Sequence, residues 1–459
     1  MSPKSHPIDL ASGFPAPSLN PIQELNRATN TVFSNPGIWH DGMIYGPDAG
    51  YEPLRVNLAR WLTEFYCDGD GQNITSDRTC ITGGASQNLA CTLQVFTDPV
   101  VTRNIFIVEP GYFLAFRIFE DAGFHGRLRG VPEGEEGIDL EFLERVLRED
   151  EESNPITDDQ KPFKPPRPYR KLYRNVIYCV PTFSNPSGKI MSIAQRTELV
   201  RLARKYDALI IADDVYDFVH WRTDPSSDDS TPPITPFKCI LPRLVDIDRA
   251  LDGRPIDRFG NCVSNGSFSK LVGPGCRVGW AEGTPDFVYG LSQAGSSRSG
   301  GAPSHLTSTF INEMLEAGSD DHPPVAMTSH IQNTLIPAYS RRHKMLVSSI
   351  IQYLVPLGVI LPCANKYNAG GGFFVWLELP RPLRSDEVIA AAREDGVNFG
   401  DGMSSALPDG NGGCHDYREF IRLCFAWADE GALVEGVRVL EGTLGRLLGL
   451  GNASICSTR

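Results

Sequence analysis

The chain reads as an α/β protein: a large domain on a mostly parallel central sheet, followed by a smaller α+β domain. Three observations predict this. Residues 105–108, 176–180 and 209–212 are short, continuous apolar runs rich in Ile, Val and Leu, as strands covered on both faces require. Helical patterns such as 193–206 separate them, the alternation that builds parallel sheets. At 459 residues the chain exceeds what one hydrophobic core organises.

The remaining elements follow in chain order. A helix is expected from near Glu52, after the turn at Tyr45-Gly46-Pro47, and another opens at Gly84-Ala85-Ser86 behind a short strand. Residues 149–171 and 223–236 are rich in Pro, Ser and acid without apolar periodicity, and read as exposed surface insertions. Residues 325–357 carry a long helical pattern, broken near Pro337. Residues 370–377 and 420–425 are strand-like, which makes the C-terminal third α+β. No internal repeat is present, and residues 449–459 read as a poorly ordered tail.

Composition narrows the function. A net charge of −13 leaves no basic face for nucleic acid. No apolar run approaches the roughly 20 residues that span a bilayer, and the N-terminus lacks a signal-peptide core, so a cytoplasmic address is expected. The 11 cysteines form no Cys-x-x-Cys pair; they read as reduced thiols rather than disulfides or a zinc site. The nine histidines show no ligand spacing, and no metal is expected.

The most informative stretch is Ser267-Phe268-Ser269-Lys270 followed by Gly273-Pro274-Gly275-Cys276-Arg277. It sets a hydroxyl before an amine and a fork-shaped cation after it. Chemistry on a phosphorylated aldehyde cofactor needs that set, the amine for an imine and the other two for the phosphate. A second element is Asp213-Asp214-Val215-Tyr216, which places a carboxylate at the end of an apolar strand. Neighbouring residues on a strand face opposite ways, so Asp214 reads as structural.

Together these motifs resemble the fold-type I enzymes dependent on pyridoxal 5'-phosphate (PLP), and within them the class I/II aminotransferases. The resemblance runs over about residues 8–445. It implies the PLP-dependent transferase fold, with the large domain at 46–325 and a small domain formed by 1–45 and 326–459. It also implies roles. Lys270 carries PLP as a Schiff base and shuttles the proton. Asp213 faces the pyridine nitrogen and keeps it protonated, while Tyr216 and Asn185 of Asn185-Pro186-Ser187-Gly188 reach the ring oxygen. Tyr112 stacks on the ring. Gly84, Ala85, Ser86, Ser267 and Arg277 hold the phosphate, the first three at a helix N-terminus. Tyr45 reaches the phosphate of a second subunit, which implies a homodimer with shared sites. Arg422 forks onto the substrate α-carboxylate, beside the Gly13 backbone. Two departures from the family pattern, Ser86-Gln87 and the Asn398–Gly402 stretch without Pro-Gly, bear on the substrate pocket.

The resemblance points to an aminotransferase acting on an amino acid and a 2-oxo acid. A PLP-dependent lyase or replacement enzyme uses the same lysine, aspartate and arginine. A non-enzymatic PLP-binding module of a transcription regulator needs a fused DNA-binding domain and a less acidic chain. Aromatic, aliphatic and aminoadipate-like substrates all remain open.

Overall fold

The computed structural model describes residues 7–67, 73–153, 161–223, 237–316, 325–362, 365–408 and 415–450. Its centre is an eight-stranded sheet. In spatial order the strands are Thr79–Thr82, Gly279–Glu282, Cys262–Ser267, Ala208–Asp213, Asn175–Cys179, Asn104–Glu109, Leu128–Gly134 and Gly137–Ile138. Cys262–Ser267 through Leu128–Gly134 run parallel. Gly279–Glu282 is antiparallel to both its neighbours, and Gly137–Ile138 closes the far edge antiparallel. The three apolar runs read from the sequence are the middle of this sheet. Every residue of their strands is buried, because helices such as Ala85–Phe96 and Ile193–Lys205 cover the faces.

Chain order reverses between Asn104–Glu109, which continues to Leu128–Gly134 on one side, and Asn175–Cys179 on the other. Such a switch point leaves a crevice beyond the carboxyl ends of the strands. The segments carrying Tyr112, Asn185, Asp213 and Lys270 all lie at or just past those ends.

A second, three-stranded antiparallel sheet joins Phe374–Glu378, Phe420–Cys424 and Gly400–Asp401. The N-terminal strand Ile8–Asp9 pairs with Val397–Asn398, and the Leu10 carbonyl accepts from the Cys424 amide at 2.7 Å. Residues 8–10 are thereby built into the last third of the chain.

Several expectations need correcting. The helical run of 325–357 is not broken at Pro337. It passes through a widened turn, Ile331–Leu335, with helical dihedrals at both ends. That π turn precedes the proline and absorbs its missing N–H and bulky ring; a second lies at Ile350–Leu354. Residues 370–377 form two strands rather than one, because Gly372 turns the chain at φ +66°.

Residues 149–153 of the expected insertion end the Leu140–Ser153 helix. Residues 161–171 are exposed along most of their length but anchored by two lysines. Lys164 Nζ donates to the Leu93, Gln94 and Thr97 carbonyls at 3.3, 2.7 and 2.5 Å, closing the C-terminal end of the Ala85–Phe96 helix. Lys171 pairs with Asp207 and Asp257 at 2.6 and 2.7 Å. Residues 154–160, 224–236 and 451–459, where the other insertion and tail expectations fall, lie outside the described residues.

Candidate active site

A cavity of about 780 Å³ opens at the strand ends. Lys270, in a tight turn after Cys262–Ser267, is one wall. Its Nζ donates to the Gly13 carbonyl at 2.7 Å and lies 4.9 Å from the Phe373 ring centroid. Burial lowers its pKa to about 8, against the opposing pull of Cys424 and Asp213. The neutral amine, the nucleophilic and basic form, is therefore more populated near neutral pH than in an ordinary lysine.

Asp213 ends the Ala208–Asp213 strand and faces the cavity. Burial pushes its pKa up to about 6, although Tyr178 and Lys270 favour the anion. Oδ2 accepts from the Tyr178 hydroxyl at 2.7 Å, whereas Oδ1 is buried with no hydrogen-bond partner. An orphaned carboxylate oxygen aimed into a cavity implies a donor brought by a ligand. Asp214 does not line this cavity. Its Oδ2 accepts from Ser264 on the neighbouring strand, and burial and Asp217 raise its pKa.

Arg422 enters from the Phe420–Cys424 strand and is only 8% exposed. It donates to Asn185 Oδ1 at 3.0 Å and to the Ala11 carbonyl at 3.1 Å. Its carbon Cζ stacks 4.1 Å over the Phe374 ring. Tyr112 and Tyr216 line the same space, and burial raises both phenols.

At the other end of the cavity are Ala85 and Ser86, in the first turn of the Ala85–Phe96 helix, with Ser267, Ser269 and Arg277. Gly84 caps that helix at φ +97°, and a Cβ there would meet Arg277 Nη2 at 3.1 Å. Arg277 donates to the Gly83 carbonyl at 2.6 Å. Exposed amides of a helix N-terminus, hydroxyls and a guanidinium are the donor set for a phosphate dianion. With an orphaned carboxylate oxygen and a buried amine in the same cavity, these residues fit pyridoxal phosphate.

The structure thus brings Lys270, Asp213, Tyr216, Tyr112, Asn185, Ala85, Ser86, Ser267, Arg277, Arg422 and Gly13 to one cavity. Gly13 lends its carbonyl to Lys270, and the Ala11 carbonyl accepts from Arg422. Tyr45, expected to reach the phosphate of a second subunit, is 87% exposed and does not line this chain's own cavity. Tyr178, Ser269 and Phe374 were not read from the sequence; each looks like ordinary strand or turn filling. The cavity lining also includes Phe113, Leu114 and Ile118 of the Phe113–Phe119 helix, and Ile389 and Arg393 of the Ser385–Glu394 helix with Phe399. Among the described residues no group of three His, Cys, Asp or Glu could hold a metal ion.

The aminotransferase class I and II family matches residues 5–440. An uncharacterised protein of Saccharomyces cerevisiae is 33% identical over 86% of this chain and 88% of its own. Aromatic-amino-acid aminotransferase 1 of Thermococcus litoralis is 26% identical over 95% of this chain and 88% of its own. A solved structure of an alpha-aminoadipate aminotransferase from Thermus thermophilus, complexed with N-(5'-phosphopyridoxyl)-L-leucine, covers 97% of this chain and 93% of its own. It superimposes at a TM-score of 0.71 with 26% identity.

Proposed function

We propose, from the premise that this chain belongs to the aminotransferase class I and II family, that its amino donors are 2-amino acids with large apolar or aromatic side chains. The reaction class is that of the family: pyridoxal-phosphate-dependent transfer of an α-amino group from an amino acid to a 2-oxo acid. The observation that carries the donor class is the cavity lining, where Phe113, Ile118, Ile389 and Phe399 share the space with Arg422. Burial of a Leu- or Phe-sized side chain there contributes roughly 1.5–3 kcal/mol. The Thermococcus relative named for aromatic amino acids and the leucine adduct in the Thermus structure support the same reading.

The geometry supports these side-chain roles. Bound here, pyridoxal phosphate supplies an aldehyde that condenses with amines and a ring that withdraws electrons from the substrate α carbon. Asp213 Oδ1, buried without a partner, would keep the ring nitrogen protonated. Arg422 grips the α-carboxylate and orients the Cα–H bond toward Lys270. Lys270 Nζ takes that proton as a base and returns it as an acid. Asn185, whose Oδ1 is committed to Arg422, would offer its amide N–H to the ring oxygen beside the Tyr216 hydroxyl. Tyr112 would pack on the ring. Ser86, Ser267 and Arg277 would hold the phosphate with the amides behind Gly84.

Residues 46–325 are read as the large PLP-binding domain, and 1–45 with 326–459 as the small one. The working unit is read as a homodimer. Tyr45 lies in a segment that also exposes Phe14, Ile22, Phe33, Met43 and Ile44, an apolar surface suited to a second copy, and a native-mass measurement tests it. No described helix is long and apolar enough to cross a membrane. A cytoplasmic address is read from the scattered cysteines, none in Cys-x-x-Cys spacing.

A second donor reading, a long-chain acidic amino acid, is favoured by Arg393. This guanidinium lines the cavity and donates to Asn398 Oδ1 at 3.2 Å. A panel of aromatic, branched, acidic and small amino acids, assayed for keto-acid release with the wild type and Arg393→Ala, decides between them. Preference for aromatic and branched donors, unchanged by Arg393→Ala, supports the apolar reading. Preference for acidic donors that the variant abolishes overturns it.

A further inference from the structure

Tyr178 sits inside the fully buried strand Asn175–Cys179, where its ring lies edge-on to Phe119 with centroids 5.7 Å apart. By position it is a core aromatic. A buried phenol still needs a hydrogen-bond acceptor, and the acceptor here is the Asp213 carboxylate at 2.7 Å, across adjacent parallel strands. This contact occupies Oδ2 and leaves Oδ1 as the oxygen without a partner.

We propose that Tyr178 is a positioning residue for the cofactor: its hydroxyl locks the Asp213 carboxylate so that Oδ1 alone serves the ring nitrogen, and it keeps that carboxylate ionised. The inference rests on the reading of Asp213 given above. The groups facing Asp213 come from every element around it. Tyr178 and Cys179 lie on the strand on one side, Asn265 on the strand on the other, and Asp217 just beyond its own strand. Lys270, Tyr112 and Tyr216 approach from the cavity. Tyr178 and Lys270 favour the anion, and Asp217 opposes it. Burial, then the Asp213 charge, raises the Tyr178 hydroxyl well above the usual phenol range. It therefore stays a donor at every pH at which the enzyme works.

The test uses Tyr178→Phe, which keeps the ring and removes only the hydroxyl. The apoprotein is titrated with pyridoxamine 5'-phosphate, which keeps the ring nitrogen and phosphate but lacks the aldehyde, from pH 5 to 9. Wild-type affinity should rise with pH as Asp213 ionises near pH 6. Tyr178→Phe should move that rise upward by about half to one pH unit, weakening binding roughly two- to fivefold at pH 6. Asp213→Asn should abolish the rise, and the double variant should match Asp213→Asn alone, since the hydroxyl acts only through the carboxylate. A Tyr178→Phe curve that overlays the wild type, or a double variant in which the two losses add, overturns the inference. An Asp213→Asn curve that overlays the wild type instead overturns the role of Asp213 itself.

Discussion

Arg422 donates to the amide oxygen of Asn185 at 3.0 Å, joining the late Phe420–Cys424 strand to the loop beyond Asn175–Cys179. The contact orients both groups: it holds the guanidinium plane, and it turns the Asn185 NH₂ away from Arg422. A lysine cannot reproduce it, because an ammonium lacks the planar fork. Arg422→Lys should lower kcat/KM by about 10²–10³-fold for every amino acid tested. The cofactor absorbance should stay unchanged, since the phosphate anchors lie elsewhere. A loss confined to one class of amino acid would show that Arg422 reads the side chain and not the α-carboxylate.

Lys270 should impose a pH dependence on cofactor capture. Its pKa is lowered to about 8, and only the neutral amine attacks an aldehyde. Below pH 8 the rate of apoprotein reconstitution with pyridoxal phosphate should rise about tenfold per pH unit, and above it level off. Stopped-flow absorbance measures this directly. Lys270→Ala should still bind the cofactor through the phosphate contacts but lose turnover, and borohydride reduction of the wild type should leave its label on Lys270.

Asp213 carries a cost that a neutral side chain removes. Its pKa is about 6 in the fold against an ordinary 3.8, so between these values the native state binds more protons than the unfolded chain. Stability therefore falls as pH rises through that window. At pH 7 Asp213→Asn should stabilise the apoprotein by up to about 3 kcal/mol, and the gain should vanish below about pH 4. The same variant should slow the transamination half-reaction by several orders of magnitude. Asp214→Asn, turned toward Ser264, should change that half-reaction far less. Denaturant melts at pH 4 and 7 and single-turnover absorbance separate the two effects.

Gly84→Ala tests the phosphate end. The residue has φ +97°, and its new methyl would press on the Arg277 guanidinium. Backbone strain of this kind costs roughly 1–3 kcal/mol. Because the strain sits on the anchor, cofactor retention should suffer more than the fold. Dialysis against cofactor-free buffer should strip the variant faster than the wild type. Equal retention would place the phosphate away from this turn.

The parts of the site legible in sequence are those whose chemistry is local. Lys270 stands between Ser267 and Arg277, and Asp213 ends an apolar run; each motif is read within a dozen residues. Tyr178 was not legible, because a tyrosine amid Val176, Ile177 and Cys179 looks like core, and its partner lies 35 residues away. The Ala11 contact to Arg422 spans 411 residues and could not be read from spacing. Pro337 misled for a different reason. A proline predicts a helix break, but it cannot reveal that the preceding turn has widened to admit it.

Residues 8–13 tie the candidate substrate grip to the core, which Leu10 enters. Ile8–Asp9 edges the Val397–Asn398 strand, and Ala11 and Gly13 present carbonyls to Arg422 and Lys270. The eight-stranded sheet begins only at Thr79. A protease that clips the chain just after Ser12 should abolish turnover and also lower the melting transition, since it frees the buried Leu10 from the core, and an affinity tag fused at this end is worse placed than one after the Glu430–Leu447 helix.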